Sequence, residues 1–119
     1  MQISFIKIRG HMKFKIYRSE RFEKELAKFD KKFQERVDKI EDELVENPYS
    51  GKPLGIRWFR EKRYENYRIY YLIYDDLESV FMVGISDKKD QQKVINTIKL
   101  LLDLFKRELG NLIDKDKLT

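Results

Sequence analysis

The stretch YENYRIYYLIYDD, residues 64 to 76, sets one arginine, Arg68, at the head of an aromatic and aliphatic run. A guanidinium keeps its charge at any relevant pH and offers paired donors in one plane, a match for carboxylate or phosphate. An unpaired charge in a buried strand is costly, so the residue must find water, an anion or a carboxylate. Two chemistries are therefore open to Arg68: a structural ion pair with Glu61 or Glu65, or a grip on a phosphate. Arg57, Arg60, Lys62 and Arg63 precede it, and Lys88, Lys89 and Lys93 follow the next apolar run. Lys88 and Lys89 stand at the start of a helical pattern, where the dipole suits acids and not lysines. That misplacement points mildly to function, although DKKDQQK also reads as an ordinary solvated helix start. Tyrosines beside Arg68, Tyr70 among them, can stack on bases, worth about 1–3 kcal/mol per base, or simply pack. Trp58 reads as a core or loop anchor, and the adjacent Asp75 and Asp76 as turn chemistry, since neighbouring carboxylates seldom converge on one ion.

The elements that carry these residues follow from periodicity. Alternation from Lys13 to Tyr17 predicts a half-buried strand. Ser19 offers an N-cap to a short helix bearing Phe22, Leu26 and Phe29, and Asp30 one to a second helix with Phe33, Val37, Ile40 and Leu44 on one face. ENPYSGKP ends that helical hairpin. Three β-rich segments come next, GIRWFREKRY, YRIYYLIY and SVFMVGI, with DDLES as the turn between the last two. Ser86 or Asp87 then caps a long third helix with Val94, Ile98, Leu101 and Phe105, and Gly110 is its expected stop. The predicted fold is α+β, in the order β-α-α-β-β-β-α, with the hairpin on one face of a mostly antiparallel four-stranded sheet. Alternation sends Tyr67, Ile69, Tyr71 and Ile73 towards the hairpin and Arg68, Tyr70, Leu72 and Tyr74 to the other, more open face. There Gly84 is expected to leave room for a ligand to approach the backbone.

Length supports one domain: residues 12–109, preceded by a leader or appended segment at 1–11 and followed by a tail at 110–119. Residues 3 to 8 read equally well as an extra edge strand. Of 119 residues 39% are charged, and 26 Lys+Arg against 21 Asp+Glu give a net +5, which favours acidic partners without choosing one. Cysteine is absent, so disulfides, thiolate catalysis and thiolate-bound metals are excluded. The single histidine, His11, lies in the leading segment. No run is long and apolar enough to span a bilayer and none reads as a secretory signal, so the expected location is cytoplasmic, with no membrane partner. No metal site or cofactor is expected.

The segments YENYRIYYLIY and VFMVGISDKKDQQK, in this order of elements, resemble the RelE/ParE superfamily of toxins from bacterial and archaeal toxin-antitoxin modules. The likeness runs from about Met12 to about Leu102, with Tyr67 and Arg68 as its best motif. It implies a toxin that enters the ribosomal A site and cuts mRNA, silenced by a cognate antitoxin that wraps it. The RNA 2′-hydroxyl is the nucleophile, so cleavage needs positioning, proton transfer and charge stabilisation but no metal. By resemblance, Arg68 contacts the scissile phosphate, Lys88 or Lys89 fills the basic position after the last strand, and Arg60, Lys62 and Arg63 orient RNA. Active relatives carry a histidine or tyrosine for proton transfer where this chain has Asp87 and Gln91 or Gln92. A ParE-like inhibitor that binds DNA gyrase, or an inactive relative working as an interaction module, remains an alternative. The apolar positions of the third helix allow either cover for the core or contact with a second subunit in a homodimer.

Overall fold

The computed structural model describes residues 13–118; the expectations for residues 1–11 lie outside them. The first element of the described residues is strand β1, Lys15–Arg18, followed by helices α1, Glu20–Leu26, and α2, Lys31–Glu46. Both helices start where the sequence places a cap. Ser19 accepts the Phe22 amide at 3.0 Å and Asp30 that of Phe33 at 2.9 Å, each satisfying a donor that the first helical turn leaves unpaired. Phe22, Leu26, Phe33, Val37, Ile40 and Leu44 are buried. Each such side chain removed from water contributes about 1.5–3 kcal/mol.

The remaining strands are β2, Lys52–Pro53, β3, Phe59–Tyr64, β4, Tyr67–Tyr74, and β5, Ser79–Asp87, and the sheet order is β1-β5-β4-β3-β2. The meander β3-β4-β5 is antiparallel as expected, whereas β1 runs parallel to β5. Among the described residues five strands stand where four were read, because two residues of the Pro-containing loop, Lys52 and Pro53, pair with Glu61 and Arg60. Ile69, Tyr71 and Ile73 meet the hairpin along with Val80, Met82 and Ile85, the face that alternation assigned.

The opposite face is not open. Helices α3, Gln91–Leu100, and α4, Leu102–Leu118, lie over it, and Ile95, Ile98, Phe105 and Leu109 form a second core with Phe59, Tyr70, Leu72, Phe81 and Val83. Two cores on one sheet explain why β4 and β5 are buried almost throughout, the pattern of a strand covered on both faces. A register shift beside Tyr70 and Tyr71 pairs Tyr70 with Gly84 and Tyr71 with Met82, leaving Val83 over as a bulge. A Cβ on Gly84 would lie 3.2 Å from Ile98 Cδ1 and 3.5 Å from Val94 Cγ1. The close approach expected at this glycine is therefore made by α3, not by a ligand.

The expected single helix from Ser86 or Asp87 is also corrected. Both residues belong to β5, α3 begins at Gln91, and the helical path breaks at Leu101 (φ −103°, ψ 13°). Gly110 does not stop α4, which continues to Leu118. Leu112 and Ile113 pack against the second core, and Asp116 accepts hydrogen bonds from Lys15 at 3.0 Å and Tyr17 at 2.8 Å, pinning the end of α4 to β1. No described helix is long and apolar enough to cross a membrane.

Candidate functional site

Arg68 is 5% exposed. The expectation of a guanidinium displayed on an open sheet face is overturned, and the cause is the α3–α4 layer. The bland alternative fails as well: Arg68 forms no ion pair with Glu61 or Glu65, and its Nε is buried without a hydrogen-bond partner among the described residues. Leaving a buried donor unpaired costs about 1–3 kcal/mol, more for a charged group. Glu25 Oε1 and Arg36 Nε share this condition but belong to partly exposed residues.

Strand register fixes the neighbours. Arg68 lies opposite Arg63 on β3 and Ser86 on β5, and Tyr70 lies opposite Glu61 and Gly84. Alternation along β3 puts Phe59, Glu61 and Arg63 on the Arg68 face, and Arg60 and Lys62 on the hairpin face. Lys62 accordingly pairs with Glu43 of α2 at 3.1 Å. Arg60 donates to the carbonyls of Arg57, Tyr49 and Gly51, each at 2.8 Å. Arg57 pairs with Asp75 at 2.8 Å and lies over the Tyr49 ring at 4.7 Å. Of the basic group expected ahead of Arg68, three members are thus engaged in structure and only Arg63 shares its face.

Lys88 and Lys89 are exposed in the β5–α3 turn, and Lys93 is exposed on α3. None of the three has an ion-pair partner among the described residues. The Lys88 amide donates to the Asn66 carbonyl at 3.1 Å, which ties this turn to the β3–β4 turn two residues before Arg68. Arg63, Lys88 and Lys89 therefore flank the buried guanidinium at one end of the sheet. Tyr70 is fully buried and its hydroxyl is 2.8 Å from that of Ser86, so it has no ring face left for a base. Burial foremost holds its phenol above the ordinary value; the charges of Glu61 and Asp87 add to this, and the Ser86 bond and Arg68 oppose it.

Sequence reasoning assigns Glu61 only the role of an ion-pair partner, yet it lies on this same face of β3, 1% exposed. Gln91 of α3 donates to its Oε1 at 3.3 Å, Arg63 Nε stands 3.5 Å from Oε2, and Oε2 has no hydrogen bond among the described residues. Its position two residues before Arg63, on the same face, is the signal that could have located it. Among the described residues no three of His, Cys, Asp and Glu come together to hold a metal ion.

Residues 16–92 match a family model described as ParE toxin of type II toxin-antitoxin system, parDE. A search of curated proteins finds no match. Among solved structures the chain is similar to a free mutant form of E. coli toxin RelE, with 21% identity, a TM-score of 0.65, and coverage of 76% of this chain and 99% of that one. It is also similar to a chain of the intact E. coli RelBE toxin-antitoxin complex (23%, TM-score 0.57, coverage 62% and 95%). A chain of the archaeal RelE-RelB complex from Pyrococcus horikoshii is similar too (16%, TM-score 0.56, coverage 65% and 97%). At these identities the likeness to solved structures is one of fold.

Proposed function

The chain belongs to the ParE toxin family of type II toxin-antitoxin systems, within the RelE/ParE superfamily, and from that premise we propose that it is a RelE-like toxin directed at ribosome-bound mRNA. The observation that carries this reading is Arg68, a nearly sealed guanidinium that forms no ion pair among the described residues and whose Nε has no hydrogen-bond partner there. The anion that the described residues do not provide is a phosphate of the RNA. Arg63, Lys88, Lys89 and Lys93 form the exposed cationic rim that draws the backbone towards it, the sequence-independent part of nucleic-acid affinity. Arg68 then stabilises the charge that gathers on the phosphate as the 2′-hydroxyl attacks. A cognate antitoxin silences the toxin, a partnership supported by the complexes of the similar structures.

The test uses purified chain, freed of antitoxin, in a reconstituted translation reaction with cleavage mapped on the message. Arrest and cleavage are expected from the unaltered chain, and loss of both from Arg68→Ala. An unaltered chain that neither arrests translation nor cuts ends the proposal. One observation favours a second reading: neither imidazole nor an aromatic hydroxyl follows β5, where Gln91 and Gln92 stand. A ParE-like protein that holds DNA gyrase by contact needs no proton-transfer group, and inhibition of supercoiling without translation arrest identifies it. An effect on cells that survives Arg68→Ala indicates an interaction module.

A further inference from the structure

At the far end of β4 from Arg68, roughly 20 Å along the strand at about 3.3 Å per residue, a cavity of about 550 Å³ opens between the β4–β5 turn and the start of α4. Trp58, Tyr74 and Leu102 line it, with Asp76, Asp103 and Lys106. Trp58 is the only tryptophan of the chain and is 37% exposed, an unusual position for the largest aromatic side chain in a protein with two cores to fill. The Tyr74 hydroxyl makes no hydrogen bond within the described residues.

The charges here run against those of the whole chain. Arg57 and Asp75, also part of the lining, neutralise one another at 2.8 Å. That leaves two carboxylates, Asp76 and Asp103, with no ion-pair partner among the described residues, against the single ammonium of Lys106. Burial and, after it, the neighbouring charge of Asp76 push the Tyr74 phenol up to about 12, so its hydroxyl stays neutral. An aromatic wall, an acceptor hydroxyl and two free carboxylates are complementary to one kind of group: a planar cation that stacks on a ring and donates at its edges.

We propose that this cavity docks an arginine side chain presented by a partner polypeptide, its guanidinium against Trp58 and its donors towards Asp76, Asp103 and the Tyr74 oxygen. The site is separate from the Arg68 end and does not rest on the RNA reading.

Trp58 itself reports occupancy. The full chain is titrated with an acetylated, amidated glycine peptide carrying one central arginine, and its tryptophan emission is followed. A saturable change is expected with this peptide, with none from the same peptide carrying glutamate. The double variant Asp76→Asn/Asp103→Asn, altered at the cavity rim, is expected to bind roughly three- to tenfold more weakly, as for two surface charge contacts. Circular dichroism confirms that the variant is folded. Absence of a saturable change, an equal response to the glutamate peptide, or unaltered affinity in the double variant overturns the proposal. So does emission that depends on protein concentration alone, which would assign the cavity to a second copy of the chain.

Discussion

Glu61 and Arg68 occupy diagonal positions on neighbouring strands of one sheet face, each at least 95% sealed from solvent, and yet no ion pair joins them. Among the described residues each keeps one buried atom without a hydrogen bond, Oε2 on the acid and Nε on the base. A fold selected only for stability would have closed that gap or filled it with apolar groups, because an unpaired buried charge is worse than none. The pair therefore separates stability from function.

Arg68→Met keeps length and apolar bulk while removing the unmatched charge. It is expected to raise the stability of the chain by about 1–3 kcal/mol and to abolish translation arrest. Denaturant unfolding and the translation assay read the two effects on the same sample. A destabilised variant would show that the guanidinium is held by interactions worth more than its desolvation, and Arg68 would then be a structural residue.

Glu61→Gln is isosteric and retains an oxygen that can accept from Gln91. Removing its negative charge beside Arg68 is expected to tighten binding of a short single-stranded RNA by a few fold, since a repulsion next to the phosphate disappears. The gain should shrink as salt is raised. A loss of affinity in a binding titration would mean that the carboxylate contacts the RNA directly.

The hairpin half of the fold could be read from the chain because its signals are local. Ser19 and Asp30 cap as expected, and the spacing names the buried residues of both helices, failing only at Phe29, which lies past the end of α1 at Leu26 and is only half-buried. The second core could not be read in the same way. Tyr70, Leu72 and Tyr74 look like a face that tolerates water until α3 and α4 are known to lie on it, and that packing joins residues far apart in sequence. The stripe Val94, Ile98, Leu101 and Phe105 continues across the break at Leu101, so periodicity alone shows one helix. The parallel pairing of β1 with β5 leaves no local mark either. Within the site, alternation placed Arg68 on its correct face; applied to β3 as well, the same rule would have removed Arg60 and Lys62 from the group.

Two glycines should respond to alanine in opposite directions. At Gly51 a Cβ would stand 2.7 Å from the Glu61 carbonyl oxygen and press on the Tyr71 hydroxyl, so the loop after α2 must shift. Gly51→Ala is expected to cost about 1–3 kcal/mol, as overpacking does. At Gly110 a Cβ meets nothing within 4 Å and the residue lies inside α4. Gly110→Ala should add about 0.5–1 kcal/mol through helix propensity. Unfolding midpoints decide both, and destabilisation by Gly110→Ala would contradict the open helical position.

Alkaline titration should separate the tyrosines and weaken the fold. Burial raises the phenols of Tyr71 and Tyr74 from 10.0 to about 12. In the native state these groups favour their protonated form, so their contribution to stability is fully present below pH 10. It disappears as pH rises through about 12, at roughly 1–2 kcal/mol apiece after solvent screening. For Tyr71, burial outweighs the Gly51 amide and the Arg60 charge, which both favour the phenolate. Its hydroxyl donates to the Pro48 carbonyl at 2.7 Å and accepts from the Gly51 amide at 3.0 Å, and loss of the proton ends the donation. Tyr71→Phe leaves that carbonyl and amide without their partner at any pH, a cost of about 1–3 kcal/mol. The variant should therefore start less stable at neutral pH and lose less between pH 10 and 12. Denaturant unfolding at fixed pH values, followed together with phenolate absorbance, measures both. A parallel decline in the two proteins would show that Tyr71 does not govern the alkaline limit.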